Sequence, residues 1–253
     1  MENKIKKYLA EIEIEKNVTI LYACETGSRA WGFPSPDSDY DIRFIYKHHK
    51  DWYMGITEGK DTIERMLENN DIDISGWDIR KSLRLLLKSN PPLLEWIQSP
   101  IIYKTDRDFL NGISLLAKSS YSKIATIHHY LSMAKKSFEE FSDKPEMKLK
   151  KFFYALRTAI ACKWILERDE IPPIDFRIML EGLKLSQEIK LKIYDLIKLK
   201  STVGESYFHP VQSDLNNFIF ECIISADKEA RNMPASDVKV SEFNSFLINT
   251  VTE

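Results

Sequence analysis

The chain has 253 residues, enough for one large domain or two ordinary ones with a buried core. A 43% apolar fraction with five Trp, eleven Tyr and thirteen Phe excludes an intrinsically disordered chain, and a formal charge of −2 excludes whole-molecule attraction to polyanions, so any basic surface is local. No stretch reaches the ~18 consecutive apolar residues of a membrane span, and the charged, helix-patterned MENKIKKYLAEIEIEK has no apolar signal core, so the expected location is cytoplasmic, without a membrane partner.

Ile5, Tyr8, Leu9 and Ile12 form one apolar stripe and predict a first helix that covers a sheet. Val18 to Cys24 is a nearly continuous apolar run, the pattern of a strand buried on both faces. The polar loop GSRAWGFPSPDS follows. DYDIRFIY then alternates, with Tyr40, Ile42, Phe44 and Tyr46 on one face and Asp39, Asp41, Arg43 and Ile45 on the other. DIDIS repeats the alternation, placing Ile72 and Ile74 opposite Asp71, Asp73 and Ser75. Trp77 and Asp78 open a helix, with Asp78 as N-cap, that carries Leu83, Leu86 and Leu87 and stops at Asn90-Pro91-Pro92. PPLLEWIQSPIIYK reads as a short helix and a brief strand.

From about Asp108 the periodicity is helical, with breaks at Asp143 to Pro145, Ile171 to Pro173 and Gly204 to Pro210; the final PASDVKVSEFNSFLINTVTE has no clear period. The expected architecture is an α/β domain over 1–110 followed by an α-helical domain over 111–253. Cys24, Cys162 and Cys222 each lie inside an apolar run, the setting of reduced core thiols.

The chemistry concentrates in Gly27-Ser28, ten residues, then Asp39-Tyr40-Asp41. A Gly after a buried strand permits close approach of backbone to a ligand, and Ser28 can begin a helix whose free N–H groups attract a triphosphate. Carboxylates at i and i+2 on a strand point the same way, roughly 6.6 Å apart along the chain, so both reach hard cations such as Mg²⁺ or Mn²⁺ bridging a triphosphate. A two-metal site holds its ions about 3.5–4 Å apart, one activating the acceptor oxygen and one neutralising the leaving group. A third carboxylate completes the shell of the first of these ions and can take the acceptor proton. Asp73 is the expected third; Asp71 shares its face and is the alternative, while Asp78 is accounted for as a helix cap. Gly-Ser alone is a common turn and Asp-x-Asp alone a common solvated edge; it is their order between a buried and an alternating strand that carries information.

Arg29 and Ser38 flank the motif in reach of phosphates, with a solvated helix residue as the alternative for Arg29. Arg43 lies on the carboxylate face, where it either neutralises the acid pair or contacts a nucleotide. Lys150, Tyr154 and Arg157 form a polar stripe at i, i+4 and i+7. Between Lys144 and Lys163 six basic residues face one acid, Glu146, a local +5 that suits phosphate or RNA contact or an ordinary solvated face. Lys81 and Lys88 are similar cases. His128 and His129, being adjacent on a helix, face directions about 100° apart and read as structural.

GS…DYD followed by a hydrophobic-Asp-hydrophobic strand, over residues 18 to 76, resembles the nucleotidyltransferase signature of the DNA polymerase β superfamily. A narrower likeness spans most of the chain: GSRAWGFPSPDSDYDIRFIY, DISGWDIRKSLRLLLKSNPPLLEWIQSPIIY, and KKFFYALRTAIACKWI with IPPIDF are similar to the RlaP-type predicted nucleotidyltransferases. The resemblance implies an α/β (α+β) nucleotidyltransferase palm with a mixed β-sheet, then a helical C-terminal domain closing the nucleotide cleft. It further implies metal-dependent transfer of NMP from NTP to an acceptor hydroxyl with release of pyrophosphate. Residue by residue, Gly27 and Ser28 would bind phosphate, Asp39 and Asp41 metal, and Asp73 would be the third carboxylate; Tyr154 and Arg157 gain support as nucleotide contacts. The link of such proteins to RNA repair implies an RNA acceptor. A small-molecule or protein hydroxyl, and a non-catalytic nucleotide- or RNA-binding role, remain alternatives, and the NTP base and oligomeric state are open.

Overall fold

A computed structural model describes residues 1–68, 71–168, 170–234 and 238–252. In chain order the first part contains α1 (Glu2–Lys16), β1 (Val18–Glu25), α2 (Gly27–Trp31), β2 (Tyr40–His48), α3 (Lys50–Tyr53), β3 (Thr62–Leu67), β4 (Ile72–Asp78), α4 (Ile79–Leu86), α5 (Pro91–Trp96), β5 (Ile102–Thr105) and α6 (Arg107–Ser119). The second part contains α7 (Lys123–Glu139), β6 (Glu146–Lys148), α8 (Leu149–Glu167), α9 (Phe176–Gly182), α10 (Gln187–Lys200), β7 (Phe208–Pro210), α11 (Ser213–Ala230) and α12 (Val240–Thr252). No helix among the described residues is long and apolar enough to cross a membrane.

The chain divides into two compact units: Met1–Ala30, Asp39–Tyr121 and Asp237–Glu253 form one, Trp31–Ser38 and Ser122–Ser236 the other. The first is built on a five-stranded mixed sheet in the order β3-β4-β2-β1-β5. Because β3 reverses the chain between β2 and β4, β4 returns parallel to β2, while the other neighbours are antiparallel. The apolar stripe of α1 buries Ile5, Leu9 and Ile12 against Ile20, Ala23, Ile42, Phe44, Tyr46, Ile72 and Ile74, sealing one sheet face. Asn17 stops α1 in a left-handed conformation (φ 50°), its N–H donating to the carbonyls of Glu13 and Ile14, which turns the chain at once into β1. The two-residue period then turns Asp41, Arg43, Asp73 and Ser75 to the opposite face.

At the far end of β4, Asp78 caps α4 by accepting from the Arg80 N–H at 2.8 Å, and Asn90 caps α5 ahead of Pro91. The strand runs on through Trp77 and Asp78, so the helix starts after Asp78 rather than at Trp77.

The sequence places the change of domain near residue 110, but α6 packs on β1 and stays with the sheet, and the long segment of the second unit begins at Ser122. The stretch without a clear period contains α12, which also joins the first unit: Phe246 lies against Phe109 (5.7 Å between ring centres), and Lys47 donates to the Thr250 carbonyl at 2.7 Å. Its half-apolar pattern is legible only once the surfaces of α4 and α6 exist to receive it.

In the second unit α8 is buried over almost its whole circumference and packs against α7 and α11, with α9 and α10 completing the core. A short antiparallel pair, β6 with β7, interrupts the helices; with three residues each, these strands are too brief to announce themselves by alternation. Trp31–Ser38, which the sequence presents as an open polar loop, is held by this core. Phe33 stacks on Phe153 (4.8 Å) and meets Phe176 edge-on (5.4 Å). The buried Lys200 donates to the Ser35 hydroxyl at 2.8 Å, and burial lowers its pKa. Cys24, Cys162 and Cys222 are buried free thiols.

Gly76 sits opposite Phe44 in register, and a β-carbon there would come within 2.2 Å of the Phe44 ring. Gly76→Ala is therefore expected to lower stability by about 1–3 kcal/mol through overpacking, read as a lower urea midpoint with an unchanged slope.

Candidate active site

The parallel register sets Asp41 directly opposite Asp73. Both side chains emerge on the face that α1 leaves uncovered. Asp39 lies one residue before β2, and its carbonyl accepts from the Arg29 Nε–H at 3.0 Å. Asp71 precedes β4 and is exposed, and its carbonyl accepts the Tyr40 N–H at 2.9 Å.

The backbone of Asp41 is fixed on both sides. Its N–H donates to Glu25 Oε1 at 2.7 Å, and its carbonyl accepts from the Thr26 N–H at 2.8 Å and the Thr26 hydroxyl at 3.0 Å. Its carboxylate rests against the α-carbon of Gly27: a β-carbon at that position would stand 2.1 Å from Asp41 Oδ2, and the Gly27 φ of +61° is one that side chains resist. The glycine is thus required by close approach, to the acid as well as in the turn. α2, which begins here, is a single turn of five residues.

Arg43 occupies the space between the two facing acids. Its Nη2 donates to Asp73 Oδ2 at 2.7 Å and to Asp41 Oδ1 at 3.3 Å, while Nη1 donates to the carbonyls of Ile42 at 2.9 Å and Asp73 at 3.1 Å. Of the two roles the sequence leaves open for Arg43, neutralising the acid pair is the one it performs in this structure.

Glu25 was not singled out by the sequence, yet it underlies the site. It is fully buried, accepts the Asp41 N–H, and takes the hydroxyl of Tyr103 on its other oxygen. Burial pushes its carboxyl above the ordinary range, opposed by the Tyr103 and Asp41 hydrogen bonds. The available signal was an acid ending the apolar run YACE immediately before Thr-Gly-Ser, where an unpaired charge would be costly.

Arg29 lies over the Tyr40 ring at 3.8 Å. Lys81 pairs with Asp61 at 2.9 Å and donates to Thr62, whose register partner is Trp77, about 13 Å along β4 from Asp73 at 3.3 Å per residue. In the second unit, Ser38 donates to Glu205 at 2.9 Å and accepts the Ser35 N–H at 3.0 Å, and Lys150 also pairs with Glu205. Tyr154 meets Trp31 edge-on at 5.3 Å, and Arg157, only 3% exposed, lies over the same ring at 4.4 Å. Two members of the polar stripe, Tyr154 and Arg157, thus pack around Trp31.

Hard carboxylate oxygens suit Mg²⁺ or Mn²⁺, and Asp41 and Asp73 face a common point, so the donor chemistry fits such an ion. Among the described residues, however, no three His, Cys, Asp or Glu side chains are gathered closely enough to hold one ion together. The facing oxygens are joined through Arg43 instead. A cavity of about 390 Å³ lies at the other end of β2, among Lys47, His48, His49 and Lys50, and holds none of these acids.

The five-stranded mixed sheet thus carries facing carboxylates on its parallel strand pair, behind the Gly27 turn. The chain belongs to the RlaP family, the "RNA repair pathway DNA polymerase beta family", which it matches over residues 1–249. It is 40% identical to the "Uncharacterized protein YcgL" of Bacillus subtilis (strain 168), over 100% of this chain and 97% of that protein. A crystal structure of a "nucleotidyltransferase-like protein" from Exiguobacterium sibiricum 255-15 aligns over 97% of this chain and 79% of that chain at 12% identity, with a TM-score of 0.30.

Gly27→Ala would force both a left-handed alanine and a shift of the Asp41 carboxylate. The expected cost is about 1–3 kcal/mol of stability, measured by urea unfolding; a variant as stable as its parent would show that the Gly27–Asp41 contact is not a tight one.

Proposed function

We propose that the protein is a divalent-cation-dependent nucleotidyltransferase that transfers NMP from NTP to an acceptor hydroxyl, with RNA as the acceptor class. The observation that carries this reading is the register of Asp41 with Asp73 on adjacent parallel strands, with Asp39 two residues upstream of Asp41. Family membership supports the same class. In this reading Asp39, Asp41 and Asp73 hold Mg²⁺ or Mn²⁺, which supplies neutralisation of phosphate charge as the transfer proceeds.

The acceptor oxygen bonds to the α-phosphorus, the bond from that phosphorus to the bridging oxygen breaks, and pyrophosphate leaves. Asp73 takes the acceptor proton. Gly27 and Ser28 offer backbone N–H groups to the phosphates, and Glu25 holds Asp41 in place from beneath. Nucleotide contacts by Arg29, Ser38, Lys81, Lys150, Tyr154 and Arg157 would require them to leave or share the partners described above, so they are secondary to the acids.

One observation favours a second reading. Arg43 already neutralises Asp41 and Asp73, as it would in a non-catalytic relative that binds nucleotide without turning it over.

Incubation with α-labelled NTPs, Mg²⁺ or Mn²⁺ and total RNA, with metabolites and protein as separate acceptors, tests the proposal. Label is expected in RNA with stoichiometric pyrophosphate. Asp39→Asn and Asp41→Asn should abolish transfer, and Asp73→Asn should reduce it by about 10²–10⁴-fold, each without loss of the folded circular dichroism spectrum. Nucleotide binding with no pyrophosphate from any acceptor would establish the non-catalytic reading.

A further inference from the structure

Arg43 is two residues beyond Asp41 on the same strand face, and its side chain is 19% exposed, less than those of Asp41 (26%) and Asp73 (29%). One nitrogen is committed to two main-chain carbonyls, which orients the planar guanidinium so that the other nitrogen spans both acids. Adjacent strands run about 4.8 Å apart, so acids at paired positions repel unless a cation stands between them. The oxygens that Arg43 engages, Asp41 Oδ1 and Asp73 Oδ2, face the point where a shared divalent cation would bind. A guanidinium and a divalent cation cannot both sit there without strong repulsion.

We propose that Arg43 is an internal counter-cation that clamps Asp41 to Asp73, and that a divalent ion binds this acid pair only by displacing the guanidinium from it. The inference rests on the reading of Asp41 and Asp73 as cation ligands. Arg43 is then a positioning residue that preserves the geometry of the pair before the ion arrives, and it competes with the ion for the same oxygens. It thereby sets how much free cation the site requires.

The test compares full-length parent, Arg43→Met and Arg43→Lys proteins, with Mn²⁺ affinity read by electron paramagnetic resonance and melting temperature measured in EDTA. Arg43→Met is expected to melt lower in EDTA, where the two acids face each other uncompensated, and to bind Mn²⁺ about two- to fivefold more tightly, the scale of a partly exposed ion pair. Arg43→Lys keeps the charge without the planar fork; it secures the measurement should Arg43→Met fail to fold, and its Mn²⁺ affinity should lie above the parent's. Equal or weaker Mn²⁺ binding in both variants would overturn the clamp. Asp41→Asn and Asp73→Asn separate the two possible failures. If they weaken Mn²⁺ binding while the Arg43 variants do not strengthen it, only the clamp is wrong; if they leave binding unchanged, the cation-site reading is wrong and the clamp falls with it.

Discussion

The parallel pairing of β2 with β4 brings two acids to directly opposed positions, and much of the surrounding structure answers that electrostatic constraint. Side-chain direction in a sheet has a period of two, so a slip of one residue would drive Asp41 or Asp73 into the apolar layer formed with α1. Ile42, Phe44, Ile72 and Ile74, all fully buried, exclude that slip. The hydrophobic face thereby fixes the polar one. Arg43 supplies the compensating charge from the same strand, and the pairing that creates the repulsion also delivers its remedy.

The start of β2 is held by a different kind of contact. Glu25, sealed from solvent, carries the Asp41 amide on one oxygen and Tyr103 on the other, while Gly27 leaves room for the Asp41 carboxylate. A buried acid is tolerated here because it is hydrogen-bonded on both oxygens. Three strands, β1, β2 and β5, thus meet at one polar junction beneath the candidate ligands. Such a junction fixes the Asp41 backbone ahead of any ligand, as the proposed ion site would require.

Much of this was legible in the chain itself. The stripe of α1, the continuous run of β1 and the alternations around Asp41 and Asp73 are local patterns whose periods match the elements formed. The cap at Asp78 was legible for the same reason, since capping acts over two or three residues, whereas Asn90, read only as part of a helix stop, proves also to cap α5. Less legible were Glu25, whose acid is hidden by the apolar run it ends, and Trp31–Ser38, whose polar composition conceals two aromatic anchors. α12 was silent because its partners, α4 and α6, lie more than a hundred residues earlier.

The amino-acid sequence by itself determined which residues face which side of β2 and β4, the apolar stripe of α1, and which acids stand in an order suited to phosphate chemistry. These follow from short-range periodicity and local hydrogen bonding. Only the tertiary structure decided that Asp73 rather than Asp71 opposes Asp41, that Arg43 bridges the pair, that Glu25 supports it, and that Arg157 packs on Trp31. Strand order, register and burial depend on contacts between distant segments, and no local pattern encodes them.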